Sequence, residues 1–155
     1  MNGKALTILL IEDNLDHAEL IQRNLYRNRI ANEIIHIEDG ETALQFLHEK
    51  IQTGESGQDS LPDLILLDLR LPKVDGLQVL KQIKCNSLLN HIPVVVLTTS
   101  NSSRDIELAY QHCANSYLIK PVGFEDFMRM VTDLGFYWLV WNQHPRKIGY
   151  ENERE

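Results

Sequence analysis

The sequence predicts an α/β fold in which a parallel sheet is covered by helices on both faces. Five short apolar runs rich in branched residues are candidate strands, at residues 6–11, 34–37, 64–69, 94–97 and 117–119. The segments between them carry apolar residues at helical spacing, such as Leu15, Ala18 and Ile21. Strands that alternate with helices are joined by right-handed crossovers, which makes the sheet parallel. The fold class is therefore a doubly wound, five-stranded α/β domain.

Two of the runs, LILL at 64–67 and VVVL at 94–97, show no alternation of polar and apolar residues. Such strands are typical of a sheet that is buried on both faces. The segment TGESGQDS at 53–60 is polar, and we expect it to form an exposed, mobile loop before the third strand. We expect the charged tail beyond Pro145 to be frayed.

Length and composition restrict the function classes. The chain has 155 residues, 43% of them hydrophobic, which suits one domain with a substantial core. A formal net charge of -7 opposes general binding to nucleic acid. No apolar run reaches the roughly 20 residues of a membrane span, and the first residues lack the pattern of a signal peptide. We expect a soluble, cytoplasmic protein in which Cys85 and Cys113 are reduced.

Polar residues follow the predicted strands at their carboxyl ends, which meet at one edge of a parallel sheet. Glu12 and Asp13 follow the first strand, Asp68 the third, Thr98 the fourth and Lys120 the fifth. Grouped carboxylates repel one another unless a cation neutralises them, and hard oxygen ligands suit Mg²⁺. The sequence therefore predicts a Mg²⁺ site at this edge.

A carboxylate in such a site can act as a nucleophile toward phosphorus if the negative charges are offset. Mg²⁺ and Lys120 would supply that offset for Asp68, and Thr98 would donate a hydrogen bond to a phosphoryl oxygen. If Thr98 moves inward, the ring of Tyr117 on the adjacent strand could turn into the vacated space. That would be a two-state switch, although Tyr117 could also be a ring at the rim of the core.

Plainer roles compete for several polar residues. Asp13 and Asp75 could cap helices, and for Asp75 we favour that interpretation. Lys120 could be a solvated charge, and Ser102 and Asp105 have the spacing of a capping box. The six histidines lack metal-ligand spacing and are interpreted as surface or packing residues.

Four segments together resemble the receiver domains of two-component response regulators. They are ILLIEDN at 8–14, DLILLDLRLPKVDG at 63–76, PVVVLTTS at 93–100 and SYLIKP at 116–121. The resemblance covers about residues 5–135 and implies a flavodoxin-like sheet with strand order 2-1-3-4-5. It implies that Glu12 and Asp13 bind Mg²⁺, that Asp68 is the phosphoacceptor, and that the backbone carbonyl of Arg70 completes the metal site.

The same resemblance assigns the switch. Thr98 and Tyr117 are similar to the family's switch pair, and Lys120 is similar to its phosphate-binding lysine. It also implies a cis peptide bond between Lys120 and Pro121, a geometry that proline permits.

More particularly, the chain resembles the small response regulators that serve cyanobacterial phytochrome histidine kinases. The resemblance is carried by residues 97–121 and by the aromatic FYWLVW at 136–141. It implies a receiver domain at 1–135, an aromatic extension with a charged tail at 136–155, and no output domain. It also implies a homodimer through the fourth helix, fifth strand and fifth helix, extended by Phe136, Tyr137, Trp138 and Trp141. From the residues alone, the aromatic end could instead fold back on its own domain as a strand or helix.

Three functions remain to be separated. The first is a phosphorelay module that accepts a phosphoryl group from a histidine kinase and catalyses only its own phosphorylation and dephosphorylation. The second is a phosphorylation-independent interaction or dimerisation module with an idle site, which the complete set of site residues opposes. The third is an enzyme or flavin carrier. An aspartyl phosphatase needs an acid where Arg70 stands, and the loop EDNLDH lacks a phosphate-cradling glycine or hydroxyl cluster.

Overall fold

A computed structural model of the chain describes residues 6–28, 33–53 and 61–144. The polar segment at 54–60 and the tail at 145–155 lie outside the described residues, so the expectations for them stay predictions.

Strands and helices alternate along the described chain, as the sequence predicts. The strands are β1 (Thr7–Ile11), β2 (Glu33–Ile37), β3 (Leu64–Leu67), β4 (Val94–Thr98) and β5 (Ser116–Ile119). The α-helices are α1 (Leu15–Arg27), α2 (Gly40–Thr53), α3 (Gly76–Cys85), α4 (Ser103–Gln111) and α5 (Phe124–Gly135). A short π-helix, Phe136–Trp141, follows α5. None of the described helices is long and apolar enough to cross a membrane.

The sheet is fully parallel and has the order β2-β1-β3-β4-β5, which confirms the predicted fold class. Leu9 of β1 lies between Ile35 of β2 and Ile65 of β3. The chain order therefore reverses at β1, between its two neighbours. In open α/β sheets such a switch point opens a crevice at the carboxyl ends of the strands. This crevice receives the residues that follow β1 and β3.

Alternate residues of the strands enter two separate cores. Leu9 and Ile11 face the core beneath α2 and α3, whereas Ile8 and Leu10 face the core beneath α1 and α5. All four side chains are at most 1% exposed. Full burial of such a side chain is worth about 1.5–3 kcal/mol, so a one-residue slip of the strand would be costly. This packing fixes the place where each strand ends.

The third strand ends at Leu67, two residues earlier than the sequence predicts. The reason is a close approach by the start of α3, where the Gly76 amide donates to the Leu69 carbonyl at 3.0 Å. A Cβ atom on Gly76 would lie 2.3 Å from the Asp68 carbonyl oxygen, so only glycine fits there. Asp75 accepts a hydrogen bond from the Gln78 amide, which supports its interpretation as the helix cap.

The aromatic segment at 136–141 continues helically from α5, since Gly135 and Phe136 both have right-handed helical dihedral angles. Leu139 is buried, and Trp138 packs against the core formed with α1 and α5. Phe136, Tyr137, Val140 and Trp141 are exposed, Trp141 by 76%. The segment thus folds back on its own domain with one side and exposes aromatic side chains on the other, and its role as a partner surface stays a prediction.

Candidate functional site

Three acidic side chains gather at the carboxyl edge of the sheet. Glu12 and Asp13 follow β1, Asp68 follows β3, and one carboxylate oxygen from each lies within 4.8 Å of the others. Glu12 and Asp68 are only 1% and 6% exposed, whereas Asp13 is exposed to solvent. The structure therefore brings together the three acids that the sequence analysis selected, with an opening to water on the Asp13 side.

The first helix is capped by a different residue from the one considered in the sequence. Asn14 has extended backbone geometry and accepts a hydrogen bond from the His17 amide at 3.1 Å. Capping therefore does not account for Asp13, and its carboxylate stays beside those of Glu12 and Asp68.

Lys120 follows β5, and its ammonium group is buried among the acids. Its Nζ atom lies 2.7 Å from Glu12 Oε2 and 3.0 Å from Asp68 Oδ2, with its side chain only 2% exposed. A third contact, at 3.0 Å, joins it to His17 Nδ1. An ammonium has three N–H donors, and each has an acceptor here. The interpretation of Lys120 as a solvated charge is therefore wrong.

Donors on both of its oxygens orient the carboxylate of Asp68. Oδ1 accepts from the Thr98 hydroxyl at 2.8 Å and from the Arg70 amide at 3.0 Å, while Oδ2 contacts Lys120. Thr98 is completely buried. Its hydroxyl donates directly to Asp68, so Thr98 lies beside this carboxylate.

Burial affects the two buried acids differently. Burial raises the pKa of Asp68, but the charge of Lys120 and the hydrogen bonds from Arg70, Lys120 and Thr98 outweigh it, and the net pKa is lowered. Burial and the negative charge of Asp68 together raise the pKa of Glu12 to about 7, despite the opposing effect of Lys120. Asp68 is therefore ionised at neutral pH.

The expected cis peptide bond before Pro121 is wrong. The described residues contain no cis peptide bond, so Lys120 and Pro121 are joined in trans. Trans is the lower-energy form of such bonds by about 0.5–1 kcal/mol. In this geometry the Lys120 amide still donates to the Thr98 carbonyl at 2.7 Å, and its ammonium still reaches both buried acids.

Tyr117 lies at the rim of the same edge, on the strand next to Thr98. Its hydroxyl donates to the Ser100 carbonyl at 2.9 Å, and its ring is partly buried against the core beneath α2 and α3. Burial raises the pKa of the Tyr117 hydroxyl, which therefore stays a hydrogen-bond donor at neutral pH. The Tyr117 hydroxyl thus contacts the loop that follows Thr98.

The family model of the response regulator receiver domain matches residues 8–132. The chain belongs to this family. The match confirms the family resemblance inferred from the four sequence segments, and family membership implies a histidine kinase as partner. Receiver domains generally bind a divalent metal ion and are not enzymes in the usual sense.

Two curated relatives match this receiver over most of their length. It is 51% identical over 138 residues to FilR2 of Methanothrix harundinacea, a probable methanogenesis regulatory protein, covering 89% of this chain and 86% of FilR2. It is 43% identical over 132 residues to the response regulator Rcp1 of Synechocystis sp., covering 85% of this chain and 88% of Rcp1.

Solved structures of phytochrome response regulators are similar too. The phosphorylated cyanobacterial phytochrome response regulator RcpA superposes with a TM-score of 0.83 at 38% identity, covering 92% of this chain and 99% of RcpA. The Mn²⁺-bound form of Rcp1 superposes with a TM-score of 0.80 at 40% identity, covering 90% of this chain and 99% of Rcp1. The receiver therefore has close relatives among single-domain phytochrome response regulators, as its sequence indicates.

Sequence reasoning missed His17. It lies in the first turn of α1, where its Nδ1 atom contacts Lys120 at 3.0 Å and its ring packs against Phe127 at a centroid distance of 5.6 Å. The signal that could have identified it is position, because the first helical turn after Glu12 and Asp13 must begin at the same edge of the sheet.

Asp105 was predicted only as a capping residue, but its carboxylate makes contacts outside its own helix. The Ser102 hydroxyl accepts from the Asp105 amide at 3.3 Å, which is half of the expected capping box. The Asp105 carboxylate does not return to Ser102. Its Oδ2 atom instead accepts from the Ser100 hydroxyl at 2.5 Å and lies 3.3 Å from Arg70 Nη2.

Proposed function

We propose that this receiver takes a phosphoryl group from a histidine kinase onto Asp68 and transmits a signal through the resulting change in its surface. The observation that carries this proposal is the Asp68 carboxylate itself, ionised and oriented by Thr98, Arg70 and Lys120. A nucleophilic carboxylate needs both features, since its lone pair must be free of a proton and directed at phosphorus.

The proposed transfer is a displacement at phosphorus. A carboxylate oxygen of Asp68 forms the new P–O bond while the P–N bond of a phosphohistidine breaks, and the electron pair of that bond stays on the imidazole nitrogen. The product is an acyl phosphate. Lys120 would pair with one phosphoryl oxygen and the Thr98 hydroxyl would donate to another, which offsets the added negative charge.

The acids fit a divalent cation, which we propose to be Mg²⁺. Glu12, Asp13 and Asp68 offer hard oxygen ligands within 4.8 Å of one another, and the backbone carbonyl of Arg70 would complete the site. Two buried acids against one ammonium leave an excess of negative charge that a cation would neutralise. A bound Mg²⁺ would neutralise charge on the phosphoryl oxygens as they approach Asp68.

The switch proposed for this receiver consists of Thr98 and Tyr117. Thr98, the last residue of β4, contacts Asp68 directly, and Tyr117 donates to the Ser100 carbonyl in the loop that follows β4. A phosphoryl group that draws Thr98 inward would shift this loop and change the environment of the Tyr117 ring. An idle interaction module is not favoured, because such a module would have no need for a buried lysine paired with two acids.

We propose a phytochrome as the kinase. Supporting this, the match to RcpA covers 92% of this chain, which is more than residues 8–132 and so reaches the aromatic segment. Transfer from a purified phytochrome kinase, compared with a kinase of another sensor class, tests the pairing. We also propose a cytoplasmic location, where the exposed free thiols of Cys85 and Cys113 would stay reduced.

We propose that residues 1–135 form the receiver and that residues 136–155 extend it for homodimerisation instead of forming an output domain. The exposed side chains of Phe136, Tyr137 and Trp141 support this, because a monomer rarely leaves several large aromatics open to water. Tyr110 on α4 and Ile119 on β5 are also exposed. Signalling would then pass by protein contact without direct binding to DNA, in keeping with the net charge of -7.

Incubation with Mg²⁺ and acetyl phosphate tests the proposed acceptor. We expect intact-mass spectrometry to find one added phosphoryl group on the wild type and none on Asp68→Asn. Asp75→Asn is the matched control, since asparagine caps a helix as well as aspartate does and the substitution changes the charge by the same amount nearby. Equal labelling of Asp68→Asn and wild type would remove Asp68 from the mechanism.

A further inference from the structure

The carboxylate of Asp105 connects α4 to the loop that follows the acceptor. A single oxygen, Oδ2, accepts the Ser100 hydroxyl at 2.5 Å and lies 3.3 Å from Arg70 Nη2. The Asp105 side chain is only 17% exposed, whereas that of Arg70 is 69% exposed. Asp105 is therefore the fixed member of this ion pair, and Arg70 is the member with room to move.

The main chain of Arg70 is hydrogen-bonded to Asp68, the proposed phosphoacceptor. Its amide donates to Asp68 Oδ1 at 3.0 Å, so the side chain starts beside the carboxylate that would carry the phosphoryl group. A guanidinium is a planar, fork-shaped donor that binds phosphoryl oxygens as readily as carboxylates. Arg70 therefore has two possible partners on the same edge of the sheet, the Asp105 carboxylate and an occupied Asp68.

We propose that Asp105 is a positioning residue that holds Arg70 away from the acceptor until Asp68 is phosphorylated, when Arg70 exchanges Asp105 for a phosphoryl oxygen. This inference rests on the proposed function. The exchange is favourable because a phosphorylated side chain carries about 1.5 to 2 negative charges, whereas the carboxylate carries one.

The exchange has a structural consequence at α4. The Arg70 contact ties the first turn of α4 to the loop after β3, and its loss leaves the Asp105 carboxylate with the Ser100 hydroxyl as its remaining partner. The Ser100 carbonyl is in turn the acceptor of the Tyr117 hydroxyl. Phosphorylation would thus act on α4 by two routes. The first is release of Arg70 from Asp105, and the second is a shift of Thr98 and of the loop that follows it, which carries Ser100.

Binding of a phosphoryl mimic provides the test. Beryllium trifluoride with Mg²⁺ is titrated into full-length wild type, Asp105→Asn, Arg70→Ala and the double variant, with affinities measured by nuclear magnetic resonance. We expect Asp105→Asn to bind the mimic about two- to fivefold more tightly, the range for a partly exposed ion pair. The asparagine amide oxygen still accepts the Ser100 hydroxyl, so the substitution removes charge and keeps the loop contact.

The double variant decides whether the gain passes through Arg70. We expect Asp105→Asn to give no gain in the Arg70→Ala background, and Asp105→Glu to restore an affinity close to that of the wild type. Glu107→Gln is the control, because it removes one negative charge from the same exposed helix without touching Arg70. A gain of the same size with and without Arg70, or in Glu107→Gln, would refute the exchange alone. Failure of the wild type to bind the mimic would count against the proposed function and the exchange together.

Discussion

The carboxyl edge of the sheet and the aromatic segment at 136–141 differ in which kind of side chain they bury. At the edge, polar side chains of Glu12, Asp68 and Lys120 are removed from water and held by short contacts with one another. In the aromatic segment, the side chains of Phe136, Tyr137 and Trp141 are exposed to solvent. Buried charged groups are usually paired with a group of opposite charge, and large exposed apolar patches often mark interaction surfaces. One region thus pairs buried polar groups within the chain, whereas the other leaves aromatic side chains exposed, and we propose chemistry for the first and partner contact for the second.

The largest expected effect concerns the buried side of the aromatic segment. Leu139 is 7% exposed and packs in the core with α1 and α5. We expect Leu139→Ala to lower the free energy of unfolding by about 2–5 kcal/mol, the usual cost of a cavity at a leucine site. Urea unfolding measures the change. A loss below about 0.5 kcal/mol would mean that the segment is not anchored to this domain.

A smaller effect is expected on the exposed side of the same segment, and it concerns association instead of stability. Trp141 is 76% exposed. We expect Trp141→Ser to weaken self-association about tenfold or more, as removal of an aromatic anchor does, while the stability of the protomer changes by less than about 0.5 kcal/mol. Sedimentation at micromolar concentrations measures it. Unchanged sedimentation would contradict a dimer that uses this residue.

The smallest expected effect is the pH dependence of the free energy of unfolding that Glu12 contributes at the carboxyl edge of the sheet. In the folded protein the pKa of Glu12 is raised to about 7 from 4.5. Between these values the folded state holds a proton that the unfolded state has released, so this group stabilises the fold less as pH rises. The lowered pKa of Asp68 acts with the opposite sign, but its effect lies below about pH 5, where the carboxyl of the unfolded chain, with a pKa of 3.8, begins to bind a proton.

We therefore expect metal-free wild type to lose about 1 kcal/mol of stability per pH unit near pH 6 relative to Glu12→Gln. Urea unfolding in the presence of a chelator between pH 5 and pH 8 measures this difference. The exposed Glu49 provides the control substitution Glu49→Gln. Parallel pH profiles for wild type and Glu12→Gln would show that burial and Asp68 do not shift the titration of Glu12. We expect added Mg²⁺ to reduce the slope, because a cation favours the ionised carboxylate.

The two regions also differ in how far the sequence predicts them. The edge follows from topology, since buried parallel strands bring their carboxyl ends together and thereby place Glu12, Asp68 and Lys120. The contacts of His17 and Asp105 were not predicted, because they depend on the side-chain rotamers of residues in the first turn of a helix. Capping preferences alone pointed Asp105 back to its own helix, whereas the structure turns it to Ser100 and Arg70.

The aromatic segment was ambiguous for a related reason. Its residues are almost all apolar, so hydrophobic periodicity does not identify a buried face. A strand, a helix and a partner surface were therefore all compatible with the sequence. The structure continues the helical backbone of α5 past Gly135 into a π-helix, whose wider turns divide the residues into a buried and an exposed set. That continuation depends on packing of Leu139 and Trp138 against distant elements, which a local pattern does not contain.

The central claim is that Asp68 is the residue to which phosphorus becomes bonded, and locating the acyl phosphate tests it most directly. The receiver is phosphorylated by acetyl phosphate with Mg²⁺, treated with borohydride to reduce the acyl phosphate to an alcohol, and digested for tandem mass spectrometry. We expect the reduced side chain, a homoserine, at position 68 and at no other acid. Reduction at Asp13 or Asp75 with an intact Asp68 would contradict the account.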